Sequence, residues 1–107
     1  MAATDPTPTR SSLLYELLGK RWTALIIRQL VDGPKRFREL LIAMPNINDK
    51  VLAQRLKELQ QHQILTRQVF AEVPVRVEYS LTERGEDLKP VIAAIDAWNA
   101  RWDPDGA

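Results

Sequence analysis

Apolar side chains recur at the three- and four-residue spacing of an α-helix along the first third of the chain. This apolar face comprises Leu13, Leu14, Leu17, Leu18, Trp22, Leu25, Ile26 and Leu30. Ser11 or Ser12 is a suitable N-cap, and the segment ends at Gly33 and Pro34 because proline cannot continue a helix. Gly19 interrupts the run, which predicts either close packing at this glycine or a bend or break of the helix.

A short second helix is predicted from Arg36 to Ala43, with Phe37, Leu40 and Leu41 facing inward. Residues 44–46 contain a proline and an asparagine, which break the helical pattern and form a tight turn.

A third helix is predicted from Asp49 to Gln61, with Asn48 as its N-cap. Its buried stripe is expected to consist of Leu52, Leu56 and Leu59. At about 100° per residue, the opposite face is polar. The members of that face are Lys50, Gln54, Lys57 and Gln61.

After His62, which ends the third helix, the period of the pattern changes from helical to two. Residues 64–70 and 75–81 are therefore strand candidates, and the short stretch between them predicts an antiparallel hairpin. A final helix over 84–102 follows, with Thr82 and Gly85 at its start. Its apolar stripe comprises Leu88, Val91, Ile92, Ile95, Trp98 and Trp102.

The length of 107 residues corresponds to one domain, which we place at 11–103 after a flexible arm at 1–10. No apolar run approaches the ~18 residues of a membrane span and no secretory signal is evident, so we expect a cytoplasmic protein that does not bind membranes.

The residue types needed for catalysis or metal binding are scarce. The sequence has no cysteine and one histidine, which removes thiol nucleophiles, zinc-thiolate sites and multi-histidine sites. The remaining enzymatic hypothesis is a carboxylate hydrolase around Glu83, Glu86 and Asp87. However, acidic side chains at the start of a helix are explained by their favourable interaction with the helix dipole. We therefore predict neither an enzyme nor a cofactor.

The net charge of +1 hides an uneven distribution of charge. Residues 20–76 hold 11 Lys and Arg against 5 Asp and Glu, whereas residues 77–107 hold 3 against 7. A basic middle with acidic flanks fits a polyanionic partner, although chance clustering of charged side chains on a solvated surface would produce the same distribution.

The order helix, short helix, tight turn, helix and hairpin is that of a winged helix-turn-helix domain, so the predicted fold class is α+β and mostly α. Lysine and glutamine on the outward face of the third helix suit the major groove, and arginines on the hairpin suit phosphates or the minor groove. We therefore expect double-stranded DNA as the partner. The candidate DNA-binding residues are Lys35, Arg36, Asn48, Lys50, Gln54, Arg55, Lys57, Arg67 and Arg76.

Several of these assignments have an alternative. Lys50, Gln54 and Lys57 could instead form an ordinary solvated helix face. Arg55 lies at the edge of the buried stripe and either braces the helix or reaches a phosphate. Arg76 either contacts DNA or pairs across the hairpin with Glu72 or Glu78. A winged helix can also serve as a protein-protein interaction module, because fold alone does not fix function.

The final helix exceeds the minimal motif and ends in two tryptophans that a small core cannot absorb, so we expect it to form a homodimer face with the N-terminal helix. Tyr15, Trp98 and Trp102 could instead line a cavity for a small aromatic or hydrophobic effector at the dimer interface. The residues assigned to this interface or pocket are Leu14, Tyr15, Leu18, Ile92, Ile95, Trp98 and Trp102. A two-fold dimer predicts an inverted-repeat operator with half-sites about 34–36 Å apart.

A series of motifs occurs in order: Leu-Leu-Gly-Lys-Arg-Trp-Thr at 17–23, Gly-Pro-Lys-Arg-Phe-Arg-Glu-Leu at 33–40, Leu-Ala-Gln-Arg-Leu-Lys-Glu-Leu at 52–59 and Val-Pro-Val-Arg-Val-Glu-Tyr-Ser-Leu-Thr at 73–82. Over roughly 12–98 the chain resembles the HxlR-type winged helix-turn-helix transcriptional regulators. The resemblance implies a homodimeric bacterial DNA-binding regulator, often a repressor of detoxification or stress genes. It places the recognition helix at 48–61, the wing at 64–81, and dimerisation helices at the N-terminal helix and 84–102.

The chain differs from some members of that family in having no cysteine. Some members sense quinones or electrophiles through a cysteine just before the first helix, whereas residues 7–10 here read Thr-Pro-Thr-Arg and no cysteine occurs anywhere. Thiol switching is therefore not expected, and any induction has to use non-covalent ligand binding or a partner.

Overall fold

The computed structural model describes residues 13–106, which form short helices and one two-stranded hairpin. The elements are α1 (Leu13–Gly19), α2 (Thr23–Val31), α3 (Phe37–Ala43), α4 (Asp49–Gln61), β1 (Leu65–Phe70), β2 (Arg76–Leu81), α5 (Glu83–Glu86) and α6 (Lys89–Trp102). The expected arm at 1–10 and the caps Ser11 and Ser12 lie outside the described residues.

The N-terminal helical run is broken in two. α1 ends at Gly19, α2 begins at Thr23, and Trp22 between them has a left-handed backbone with φ of 83°. A Cβ built on Gly19 meets nothing within 4 Å. Of the two expectations for this glycine, the break is confirmed and the close packing is wrong.

The single helix expected over 84–102 is also wrong, because the segment divides into α5 and α6. Pro90, in the first turn of α6, has no N–H to donate to the carbonyl of Glu86, so a continuous helix would leave that carbonyl without its partner. Thr82 caps α5, since its hydroxyl accepts from the Gly85 N–H at 3.0 Å.

The core lies where α2, α3 and α4 meet the base of the hairpin. The apolar side chains exposed by 2% or less are Ile26, Ile27, Leu30, Leu40, Leu52, Leu56, Leu59 and Leu65. The predicted buried stripe of α4 is thereby confirmed, and it is this stripe that turns the polar side of α4 outward.

The hairpin is antiparallel and pairs Leu65 with Leu81 at its base and Phe70 with Arg76 at its tip. Each strand begins one residue later than predicted. Lys35 adds a short third segment: its N–H donates to the Tyr79 carbonyl at 2.9 Å, and the Tyr79 N–H donates back at 2.8 Å. This bridge fixes the hairpin against the start of α3. The whole is the predicted α+β winged helix-turn-helix with added N- and C-terminal helices.

Candidate nucleic-acid interface

α4 presents a polar, positively charged face to solvent. Its N-terminus is capped by Asn48, whose side-chain oxygen accepts from the Val51 N–H at 2.9 Å. Lys50, Gln54 and Lys57 are all exposed, as is Gln61 at the end of the helix. His62 follows the last residue of the helix as its C-cap, as predicted, and its backbone N–H donates to the Glu58 and Gln60 carbonyls.

Arg55, by contrast, points back into the protein. Its Nε donates to the Arg21 carbonyl at 3.0 Å and its Nη1 lies 3.3 Å from Glu58 Oε1. The guanidinium is therefore held by the turn between α1 and α2, which is the internal bracing considered as one of its two roles.

Glu58 was not among the residues singled out from the sequence, yet it joins several polar groups. Lys20 Nζ lies 3.2 Å from Glu58 Oε2. Burial raises the pKa of the Glu58 carboxyl, but the hydrogen bond and charge of Lys20 and the charge of Arg55 outweigh that effect, so the pKa lies below its ordinary value. Glu58 is therefore a carboxylate at neutral pH.

On the hairpin, Arg76 makes the intramolecular pairs that were the alternative to DNA contact. Its guanidinium lies 2.8 Å from Glu72 Oε2 and 2.5 Å from Glu78 Oε2, and it covers the Phe70 ring at 3.8 Å from the centroid. The hydrogen bond from Arg76 lowers the pKa of Glu72, and those two carboxylates raise the pKa of Arg76. Arg76 thus stiffens the hairpin tip, whereas Arg67 is exposed.

The start of α3 adds further cations. The Arg36 N–H donates to Glu39 Oε1 at 2.7 Å, and the side chains of Arg36 and Arg38 are exposed. Both line an open groove of about 470 Å³ between α3 and β2, together with Ile42 and Glu78. Arg38 was missed from the sequence, although its place next to inward-facing Phe37 already put it on the outer side of the helix.

The residues predicted to form a dimer interface or ligand pocket lie on α1 and α6, and they differ in their exposure. Tyr15, Trp98 and Trp102 are 82%, 61% and 62% exposed, whereas Ile92 is only 4% exposed and belongs to the core. Ile92 therefore offers little surface to a dimer partner, although it lines the groove between α2 and α6. Leu14 and Leu18 are half-buried.

A groove of about 490 Å³ runs between α2 and α6, lined by Leu25, Ile95, Asn99 and the Arg28–Asp96 ion pair at 2.9 Å. The three exposed aromatic side chains of α1 and α6 do not line it. A cavity that these aromatic side chains line at a dimer interface stays a prediction.

Within the stretch that the structure covers, 13–106, no helix has the length and apolar character needed to cross a membrane. Among the same residues, no group of three or more His, Cys, Asp or Glu side chains is placed to hold a metal ion.

Known proteins share both sequence and fold with this chain. The family model of the HxlR-like helix-turn-helix matches residues 17–106. The HTH-type transcriptional regulator YodB of Bacillus subtilis is 54% identical over 84 residues, which cover 78% of this chain and 75% of YodB. The structure of reduced YodB has a TM-score of 0.77 at 45% identity and covers 97% of this chain and 100% of that one. A quinone-bound YodB structure has a TM-score of 0.73 at 45% identity, over 89% and 99% of the two chains.

These matches and the exposed basic face of α4 agree with one another. The chain belongs to the HxlR-like helix-turn-helix family, a family of DNA-binding transcriptional regulators and not of enzymes.

Proposed function

We propose that this chain is a dimeric repressor that binds an inverted-repeat operator through the exposed face of α4. The observation that supports this proposal most directly is the composition of that face. Lys50, Gln54 and Lys57 are exposed, while the leucines of the same helix are buried. A recognition helix needs one apolar side and one polar side, since the apolar side packs the helix against the core while the polar side contacts base edges.

Each exposed side chain has a role suited to its chemistry. Lys50 and Gln54 lie in the first half of α4 and meet base edges, with Gln54 pairing bidentately with an adenine. Lys57, one turn further on, contacts a phosphate, and Arg67 does so from the wing. Asn48 is the cap and sits at the end of α4 that approaches the groove.

The start of α3 supplies Lys35 and Arg36, which bind the DNA backbone beside the recognition helix. Arg55 and Arg76 act indirectly, because their guanidinium groups are already held by protein carbonyl and carboxylate oxygens. They keep α4 and the wing in position for the other cations.

Base reading by Gln54 has a specific test. Gln54→Ala is expected to weaken binding by about 1–3 kcal/mol, and only when one particular base pair of the operator is intact, since the lost hydrogen bonds belong to that base. Fluorescence anisotropy with single-substitution duplexes measures this. Gln61→Ala is the matched control, because Gln61 is also exposed but lies two turns further along α4. Equal weakening on every sequence for Gln54→Ala would exclude base reading.

Dimerisation is proposed to use α1 and α6. Tyr15, Trp98 and Trp102 expose large aromatic surfaces there, and such surfaces are favoured at protein interfaces. A two-fold dimer presents two α4 helices about one DNA turn apart, which is why an inverted repeat is the expected operator.

Regulation is proposed to be independent of thiols. One solved YodB structure is described as quinone-bound, whereas the present sequence has no cysteine to form an adduct. A small aromatic or hydrophobic effector would therefore be held by non-covalent contacts, with the α1 and α6 aromatic side chains as its binding surface in the dimer.

A further inference from the structure

Polar contacts from two parts of the chain converge on Glu58. Lys20 Nζ, from the turn between α1 and α2, lies 3.2 Å from Oε2. Arg55 Nη1 lies 3.3 Å from Oε1, and Gln54 Nε2 donates to Oε2 at 3.4 Å. The side chains of Arg55 and Glu58 are only 18% and 20% exposed, so these two members lie at the edge of the core, whereas Lys20 is 46% exposed.

A second link runs alongside. Arg55 Nε donates to the Arg21 carbonyl at 3.0 Å, so α4 is tied to the same turn by one ion pair and one hydrogen bond. The turn itself is fixed by the left-handed backbone of Trp22 and by the buried Thr23. α4 is thus anchored by polar contacts to the turn between α1 and α2 and not only to apolar neighbours.

A carboxylate on a DNA-facing helix is unfavourable for binding polyanions, since it repels nearby phosphates. The cations of Lys20 and Arg55 keep Glu58 ionised, and the same carboxylate holds the amide of Gln54, four residues earlier on the helix. An amide held in this way presents its other hydrogen-bonding groups in fewer orientations, which reduces the ordering cost of binding.

We propose that Glu58 is a positioning residue for DNA recognition, which orients Gln54 and anchors α4 to the turn between α1 and α2. The inference rests on the proposed function of α4. If Glu58 has this role, its loss has opposite effects on the affinity for non-specific DNA and on the affinity for the operator. Non-specific DNA gains from the removal of a negative charge, whereas the operator loses the oriented amide.

The test uses the full-length chain and a duplex that the wild-type protein selects from a random pool about 30 base pairs long, enough for two half-sites. Its affinity is compared with that for a scrambled duplex of the same composition. For Glu58→Ala we expect scrambled DNA to bind about twofold more tightly and the selected duplex about fivefold more weakly, so the specificity ratio falls about tenfold. Partial unfolding lowers both affinities together and leaves the ratio unchanged.

Two further variants complete the test. Glu58→Gln keeps an oxygen that accepts from Gln54, so it should retain most of the ratio while binding both duplexes more tightly. Glu86→Ala removes an acid that ends α5 and pairs with Lys89, and it should leave the ratio unchanged. A ratio unchanged in Glu58→Ala would overturn the positioning role alone. Failure of the wild-type protein to select any sequence would overturn the proposed function as well.

Discussion

Gly85→Ala is expected to lower the free energy of unfolding by roughly 3 kcal/mol, at the upper end of the range for overpacking a core. A Cβ at this buried position would lie 2.1 Å from the carbonyl oxygen of Ile64 and 3.0 Å from Leu81 Cδ2. The obstacle is backbone, which cannot rotate away as a side-chain end can. For a domain of this size the melting temperature should fall by about 12 °C or more, as measured by circular dichroism.

The loss should also reach the wing. Thr82 N–H donates to the same Ile64 carbonyl at 3.0 Å, and the Thr82 hydroxyl donates to the Gln63 carbonyl at 2.6 Å. Displacing Ile64 therefore loosens the base of the hairpin as well as α5. Gly19→Ala is the matched control, because nothing lies within 4 Å of the added methyl group. That substitution should leave the melting temperature unchanged or raise it slightly. An equal loss in both variants would contradict the steric account.

The double substitution Lys50→Glu with Lys57→Glu is expected to weaken operator binding by at least about 100-fold at moderate salt, since two attractive contacts become repulsive. The dependence of affinity on salt should become shallower by about one to two units of slope. Both side chains are exposed, so the melting temperature should stay near that of the wild type. Anisotropy titrations at several salt concentrations measure both quantities.

Arg84→Glu with Lys89→Glu is the control of equal charge change, placed on α5 and α6 instead of α4. We expect it to weaken binding only a few-fold, through the overall charge. Equal effects of the two double variants would mean that net charge, and not the face of α4, governs binding.

The part of the fold that could be predicted from sequence is the part fixed by local signals. α4 has the predicted bounds because Asn48 caps it and its leucines recur at helical spacing. The hairpin follows from the change of period, to within one residue at each strand. The exposure of Lys50 and Gln54 follows directly from the burial of the leucines on the other side.

The tertiary neighbours of residues in the C-terminal helices were harder to predict than the helices themselves. Gly85 is small to admit the Ile64 carbonyl, a neighbour 21 positions earlier in the sequence. Its position in a helical pattern says nothing about that neighbour. Ile92 likewise matched the apolar stripe of α6, but only the packing of α6 on α2 distinguishes a core position from an exposed one.

The partners of charged side chains were the least predictable part of the site. Arg55 and Arg76 carry the same charge as Lys50, yet both are held by groups of the protein itself. Glu72 and Glu78 are close to Arg76 in sequence, so that pairing could be considered in advance. Lys20 and Glu58 are separated by 38 positions and meet only because the turn between α1 and α2 packs against α4.

Sequence-specific DNA binding is tested most directly by a fluorescence-anisotropy titration of the chain with duplexes from the DNA upstream of its own gene. Scrambled duplexes serve as controls, at two salt concentrations. We predict tight, salt-sensitive binding to one inverted repeat with two chains per duplex. Weak binding that is equal on every duplex and insensitive to salt would contradict the account and favour a winged helix that binds another protein.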